Sequence, residues 1–315
     1  MEVLVTGGLG YIGSALVPHL LDQDDVSGVR LLDDQSTGSP RNLLGVGLGE
    51  DRKLDVRTGD VREYGTVESA VQGVDSVIHL AAITGAESTH DRREETVAVN
   101  YEGTENVVQA AQKHGVETLV FASSCNLYGR AAEAELSEDA EPDPLNPYAE
   151  SKYEAEQLLR EATSESGLSA TALRMSTNFG YAPGIRFNLV VNHFVFRALT
   201  GRPLTVYGDG TNWRPFIHVR DAARAFAHAA LNPEQYDRLV YNVGANDQNY
   251  QIKEIAAVVR AELDRDLEIT YLEDRKPGPS YHVNFDRLAR DTDFELEATL
   301  QSGIRDLAER FERHG

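Results

Sequence analysis

The chain has 315 residues, 41% of them hydrophobic and 26% charged, enough to bury a large core as one big α/β domain or as two lobes. Fifty-one acidic against thirty basic residues leave a formal net charge of −21, which argues against nucleic acid or an anionic membrane as partner. No apolar stretch is long enough to span a bilayer, a strand starting at Glu2 leaves no room for a signal peptide, and the single Cys125 rules out an internal disulfide, so a cytoplasmic protein is expected.

Residues 2–5 read as a short apolar strand, and Thr6-Gly-Gly-Leu-Gly-Tyr-Ile-Gly13 follows it directly, opening a helix that runs to Leu21. Gly7, Gly10 and Gly13 allow a tight turn, close approach of backbone to a pyrophosphate, and close packing of helix on strand. Tyr11 and Ile12 lie between them, at a helix N-terminus turned toward the phosphates. Strand, glycines and helix in the first twenty residues mark a dinucleotide site. A second strand at 29–32 ends in Asp33, twenty residues beyond Gly13, where a carboxylate takes the adenosine ribose hydroxyls. Its charge repels a 2′-phosphate and Asp34 beside it offers no arginine clamp, so NAD is expected over NADP.

A weaker strand at 53–56 leads into Gly59-Asp60-Val61-Arg62, and 64–71 reads as helix. The strand at 76–80 runs through Leu80 into Ala81, Ala82 and Ile83, small residues that let backbone approach a cofactor. His79 reads as a structural histidine at the strand end. Residues 94–114 read as one long amphipathic helix carrying Asn100, and 118–122 as a strand closed by Ser123-Ser124-Cys125-Asn126-Leu127-Tyr128-Gly129. The acidic, proline-bearing segment 130–146 reads as a loop.

Pro147 then opens a helix over 148–165. Tyr148 and Lys152, four residues apart, leave the same face of it. A free phenol, with a pKa of about 10, is a poor base at neutral pH, and a nearby ammonium favours the phenolate. Tyr-x-x-x-Lys arises by chance in many helices; here it follows a nucleotide-binding turn and a serine pair at a strand end. The strand at 169–174 completes a sheet of about seven. From Met175 proline, glycine, asparagine and aromatic residues crowd the chain to Asn188, as suits a substrate lobe built on loops. Helices follow at 189–199, 221–230, 252–263 and 302–313, with strands at 204–206 and 239–243. The acids, from Asp22, Asp24 and Asp25 to Glu133, Glu138 and Glu141, are spread along the chain and read as a solvated surface suited to a salt-rich cytoplasm, where screening reaches only about 3 Å at 1 M.

With the glycine turn, Ser123-Ser124 and Tyr148-Ala-Glu-Ser-Lys152 in this order, nearly the whole chain resembles the extended short-chain dehydrogenase/reductase superfamily, in its nucleotide-sugar epimerase branch. The resemblance implies an α/β fold: a Rossmann-type doubly wound parallel sheet, residues 1–174 with 215–244 returning to it, and a smaller substrate-binding lobe from 175–214 and 245–315. It implies NAD as cofactor, held by the glycine turn, Asp33, Asp60 and Val61 at the adenine, the backbone of Leu80 to Ala82, Tyr148 and Lys152, with Asn100 supporting the backbone of the active site. The substrate implied is a nucleoside-diphosphate sugar, bound by Thr84, Ser124, Asn126, Tyr148, Thr177, Asn178, Asn188, Leu189, Arg214 and Arg275, with Arg214 on the diphosphate. A homodimer built on the helices at 94–114 and 148–165 is implied as well.

In the resembled family the tyrosine removes a proton from a sugar hydroxyl while its carbon gives hydride to NAD, the lysine binds the nicotinamide ribose, and the serine bonds the developing carbonyl. A 4-epimerase needs no further acid–base pair. A 4,6-dehydratase carries an Asp-Glu pair where this chain has Cys125-Asn126, which counts against elimination. A reductase of a keto sugar shares every catalytic residue and stays open; a non-enzymatic regulator is disfavoured because Ser124, Tyr148 and Lys152 all remain. Cys125 reads as a buried small hydrophobe. No metal is required. Thr177 at the usual asparagine position, Trp213-Arg-Pro215, and Lys276-Pro-Gly-Pro279 in place of a ribose-binding pair depart from the best-known epimerases.

Overall fold

The computed structural model describes residues 1–46, 53–85, 88–129 and 135–312. Seven parallel strands form its central sheet: Glu2–Thr6, Gly28–Asp33, Lys53–Thr58, Ser76–His79, Thr118–Ser124, Ser169–Met175 and Val240–Val243. Glu2–Thr6 pairs with Gly28–Asp33 on one side and with Ser76–His79 on the other, so the strand order reverses there. A doubly wound sheet opens a crevice beyond the carboxyl ends of its strands at that point. Thr6, Asp33, His79 and Ser124 are the residues that end there.

The strands are apolar on both faces because helices cover both. Val3, Val5 and Val29 pack on one side with Leu16, Val17 and Leu20 of helix Gly13–Leu21 and Phe226 of helix Val219–Leu231. Leu4, Leu119 and Phe121 face the other way, onto Val67 and Val71 of Tyr64–Val71, Val107 and Ala111 of Gly103–His114, and Leu159 of Pro147–Ser166. A third core, from Phe179 onward, joins helices Val190–Leu199, Ile252–Glu262 and Leu300–Glu312. Among the described residues no helix is long and apolar enough to cross a membrane.

Three local readings change. The helix expected over 94–114 is interrupted: Arg93–Val97 passes into a π-helical turn, Ala98–Glu102, before Gly103–His114. Such a turn inserts a residue and redirects its neighbours, here burying Asn100 completely. The expected loop over 130–146 lies partly outside the described residues, at 130–134, and then forms a two-residue strand, Glu135–Leu136, paired with His282–Val283. The stretch after Met175 contains a strand, Thr177–Phe179, parallel to the end of Trp213–His218. Strands of two or three residues are too short to show periodicity; their partners, far along the chain, define them.

Candidate active site

The glycine turn is shaped by its neighbours. Gly7 has φ of +69°, and a Cβ there would lie 2.7 Å from the Ala81 nitrogen; one on Gly13 would lie 2.4 Å from the Gly8 oxygen. Asp33 ties the turn down, accepting the Leu9 N–H at 2.9 Å on one carboxylate oxygen and the Gln35 N–H at 2.8 Å on the other. Burial pushes its pKa up and those two backbone donors pull it back. Asp60, expected at the adenine, takes the Arg62 guanidinium at 2.5 Å, and those hydrogen bonds hold its carboxyl below the usual range. Val61 is buried against Gly103.

Behind the turn runs a directional chain of hydrogen bonds. Ala81 N–H donates to Thr6 Oγ1 at 3.3 Å, and that hydroxyl lies 2.6 Å from His79 Nδ1. His79 Nε2 lies 3.0 Å from Thr104 Oγ1, which donates to the Asn100 carbonyl at 2.6 Å. Since the Thr104 proton is committed, Nε2 carries the imidazole proton and Nδ1 accepts from Thr6. Burial, then the charge of Lys152, hold His79 down to about 3, so it stays neutral. The histidine is a strut.

Asn100 links two elements of the site. Its Oδ1 accepts the Ile83 N–H at 2.7 Å, and its Nδ2 donates to the Ile83 carbonyl and to Ser151 Oγ, each at 3.0 Å. Ser151 Oγ donates in turn to the Tyr148 carbonyl. The Tyr148 helix starts where it does because Asn146 Oδ1 accepts the Ala149 N–H at 3.0 Å and Pro147 occupies the first turn.

Ser124, at the end of its strand, lies beside the Tyr148 phenol, and its Oγ accepts the Asn126 N–H at 3.1 Å. Burial raises the phenol pKa; the neighbouring Ser124 hydroxyl and the Arg186 charge oppose that rise. Lys152 is 1% exposed, its Nζ has no hydrogen-bond partner among the described residues and lies 4.5 Å from the Phe121 ring centroid. Burial pushes its ammonium down to about 7, with Glu156 pulling the other way. Cys125 is buried, its thiol donating to the Arg174 carbonyl at 3.2 Å, and burial raises its pKa.

The remaining residues are unevenly placed. Thr84 Oγ1 accepts from Arg186 at 2.6 Å, and Asn188 Oδ1 from Arg186 Nε at 3.3 Å. Leu189 caps the Val190–Leu199 helix. Thr177 is half-buried and the Asn178 Oδ1 is buried without a partner. Asn126 Oδ1 accepts from Asn146 at 2.9 Å. Arg214 lies over the Tyr281 ring, whereas Arg275 is exposed in the turn after Ile269–Leu272. Arg186 and Tyr281 escaped the sequence reading. An arginine between glycine and aromatic residues in so acidic a chain was the available signal for the first; nothing local marks the second. Among the described residues no cluster of His, Cys, Asp and Glu could hold a metal.

Residues 3–244 match the family described as "NAD dependent epimerase/dehydratase family". The chain belongs to that family. It is 31% identical over 275 residues, 87% of each chain, to the low-salt glycan biosynthesis protein Agl12 of Haloferax volcanii. A UDP-N-acetylglucosamine 4-epimerase from Methanobrevibacter ruminantium, solved with UDP-N-acetylmuramic acid, superposes with a TM-score of 0.88 at 26% identity, covering 100% of this chain and 99% of that one. The dTDP-glucose 4,6-dehydratase DesIV from Streptomyces venezuelae, solved with NAD, has a TM-score of 0.88 at 25% identity over 99% of this chain and 97% of its own. The epimerase/dehydratase family is one of NAD-dependent enzymes, and NAD is the cofactor here. The residues present fit it: Lys152 Nζ is buried without a partner, and no side chain could occupy the space beside Gly7 or Gly13.

Proposed function

We propose that the chain is a nucleotide-sugar epimerase that inverts C4 of a nucleoside-diphosphate hexose, with no net use of NAD. The observation that carries this is the state of residues 124–126. The Ser124 hydroxyl lies beside the Tyr148 phenol, Cys125 is buried with a raised thiol pKa, and Asn126 is an amide held by Asn146. The set serves proton transfer at one hydroxyl and has no carboxyl pair for elimination at C5 and C6.

NAD, when bound, supplies a reversible acceptor for the hydrogen and electron pair of the sugar carbon. Gly7, Gly10, Tyr11, Ile12, Gly13, Asp33, Asp60, Val61, Leu80, Ala81, Ala82 and Lys152 would hold it, on residues 1–174 and 215–244. Tyr148 takes the proton of the C4 hydroxyl and later returns it, with Ser124 donating to the same oxygen. The Lys152 ammonium favours the phenolate. The nucleotide sugar would lie on residues 175–214 and 245–315, with Arg214 on its diphosphate.

Substrate deuterated at C4 keeps the label at C4 in the epimerised product; the check is mass and NMR analysis after incubation of UDP- and dTDP-hexoses in molar salt. A 6-deoxy-4-keto product would replace this reading with a dehydratase, and stoichiometric consumption of NADH with a keto-sugar reductase. Asp33→Ala weakens NAD and narrows its margin over NADP in parallel titrations; tighter NADP binding by the wild type would remove the role given to Asp33.

The protein is further proposed to pair as a homodimer through helices 93–114 and Pro147–Ser166, which leave Val97, Tyr101 and Tyr153 half-buried. Light scattering at micromolar concentration should give twice the 34.7 kDa chain mass, and a monomer would refute the pairing.

A further inference from the structure

Between Gly180 and Asn188 the chain has no helix or strand, and Pro183, Phe187 and Asn188 are exposed. Side chains of other elements hold its backbone. The Tyr11 hydroxyl donates to the Gly180 carbonyl at 2.5 Å, and Gly180 N–H donates to Asn192 Oδ1 at 2.8 Å. Asn192 Nδ2 closes the circuit by donating to the Tyr11 hydroxyl at 3.1 Å, and it also donates to the Arg186 carbonyl at 3.1 Å. Ser14 Oγ accepts the Gly184 N–H at 3.0 Å and itself donates to the Tyr11 carbonyl. A Cβ on Gly184 would lie 2.8 Å from the Gly10 oxygen, so the segment rests directly on the glycine turn. Asn192, in helix Val190–Leu199, is fully buried, and Tyr11 is 7% exposed. The two residues are 181 positions apart in the chain.

We infer that Tyr11 and Asn192 are positioning residues: their shared hydrogen bonds clamp segment 180–188 onto the glycine turn and set where the substrate lobe stands against the dinucleotide. This rests on the function proposed above and extends it. Every proton in the circuit is assigned. The Tyr11 hydroxyl gives its proton to Gly180, so it accepts from Asn192, and Asn192 uses both its donors and its acceptor. A phenylalanine at position 11 would strand the buried Gly180 carbonyl and one Asn192 N–H, which costs more than the bonds themselves contribute. Beyond the clamp the same segment carries Arg186, which donates to Thr84 on the other wall of the cleft and to Asn188 on its own. The clamp thereby fixes the two walls relative to each other. Hydride transfer between two bound molecules depends on such alignment, and a displacement of about 1 Å costs up to about 10²-fold in rate.

The test compares wild type with Tyr11→Phe, Asn192→Ala and the double variant, by amide hydrogen exchange and steady-state kinetics on the NAD-loaded protein. Peptides over 180–188 should be protected in the wild type. Each variant should speed their exchange at least about 10-fold, while strands Glu2–Thr6 and Thr118–Ser124 keep their protection. At saturating UDP- or dTDP-hexose kcat should fall about 10- to 100-fold, whereas affinities for NAD and for sugar-free UDP or dTDP should change less than about threefold. The double variant should be no slower than Asn192→Ala, because both side chains belong to one circuit. If Asn192→Ala does not fold, Tyr11→Phe, which removes a single oxygen atom, decides alone. The inference is overturned if 180–188 exchanges as fast in the wild type as in the variants, or if kcat stays within about twofold. It is overturned as well if Tm and both affinities fall in step with kcat. A wild type that turns over no hexose nucleotide would instead overturn the proposed function, and the exchange of 180–188 would still decide the clamp.

Discussion

Tyr148→Phe lowers turnover by about 10²–10⁴ while the protein keeps its fold and its NAD, because a general base contributes about that much. The substitution removes one hydroxyl. Ser124 beside it still accepts the Asn126 N–H. The helix keeps its Asn146 cap, and the Tyr148 carbonyl keeps its Ser151 bond, since both involve backbone atoms. Lys152 and the glycine turn are untouched. The check is kcat with a hexose nucleotide, beside dinucleotide titration and thermal melting. Activity within tenfold of wild type would take the base role from Tyr148. Equal loss of NAD and of fold would mean that the hydroxyl is structural.

Arg174→Met costs about 3–5 kcal/mol of stability, the usual result of stranding one member of a buried ion pair. Glu156 is fully buried, one turn beyond Lys152 on the Tyr148 helix, and Arg174 meets it in two bonds, at 2.7 and 3.0 Å. Ser123 Oγ donates to the same carboxylate at 2.5 Å. Arg174 also donates to the Tyr128 hydroxyl, which donates to Asn242 Oδ1. The pair thus joins the Tyr148 helix, the end of the Ser124 strand and the loop after it. Methionine leaves Glu156 with one neutral donor, and a fall in Tm of roughly 5–10 °C follows for a chain of this size. Glu156→Leu combined with Arg174→Met should recover most of it, since no charge is then stranded. Melting curves at constant molar salt decide the matter: a single variant within about 1 kcal/mol of wild type would show the network to be incidental.

Much of this site was legible along the chain because its parts are local. The glycine turn needs adjacent residues of set backbone freedom, Asp33 needs a strand end a fixed distance on, and Tyr148 and Lys152 need one helical turn between them. Ser124 follows from an apolar run that stops. Each of these is a short-range pattern, and the structure places all of them at one edge of the parallel sheet. His79 was legible as structural but not its proton: that depended on Thr6 and Thr104 closing on it from two other elements. Asp60 was legible as a position, while its ion pair with Arg62 was not.

What remained hidden rests on contacts between residues far apart in the chain. Arg186 meets Thr84 across 102 positions, and Tyr128 meets Asn242 across 114. The π-helical turn at Ala98–Glu102 carries Asn100, whose side chain reaches both Ile83 and Ser151. Tyr281 belongs to a segment whose Pro-Gly-Pro sequence resembles a connection, and its ring meets Arg214 only because that segment lies beside Trp213–His218. Local patterning settles which backbone geometry each segment can adopt. Which side chains then share a buried space depends on how the sheet and the later lobe close together, because hydrogen bonds and a cation over a ring act only within a few ångströms.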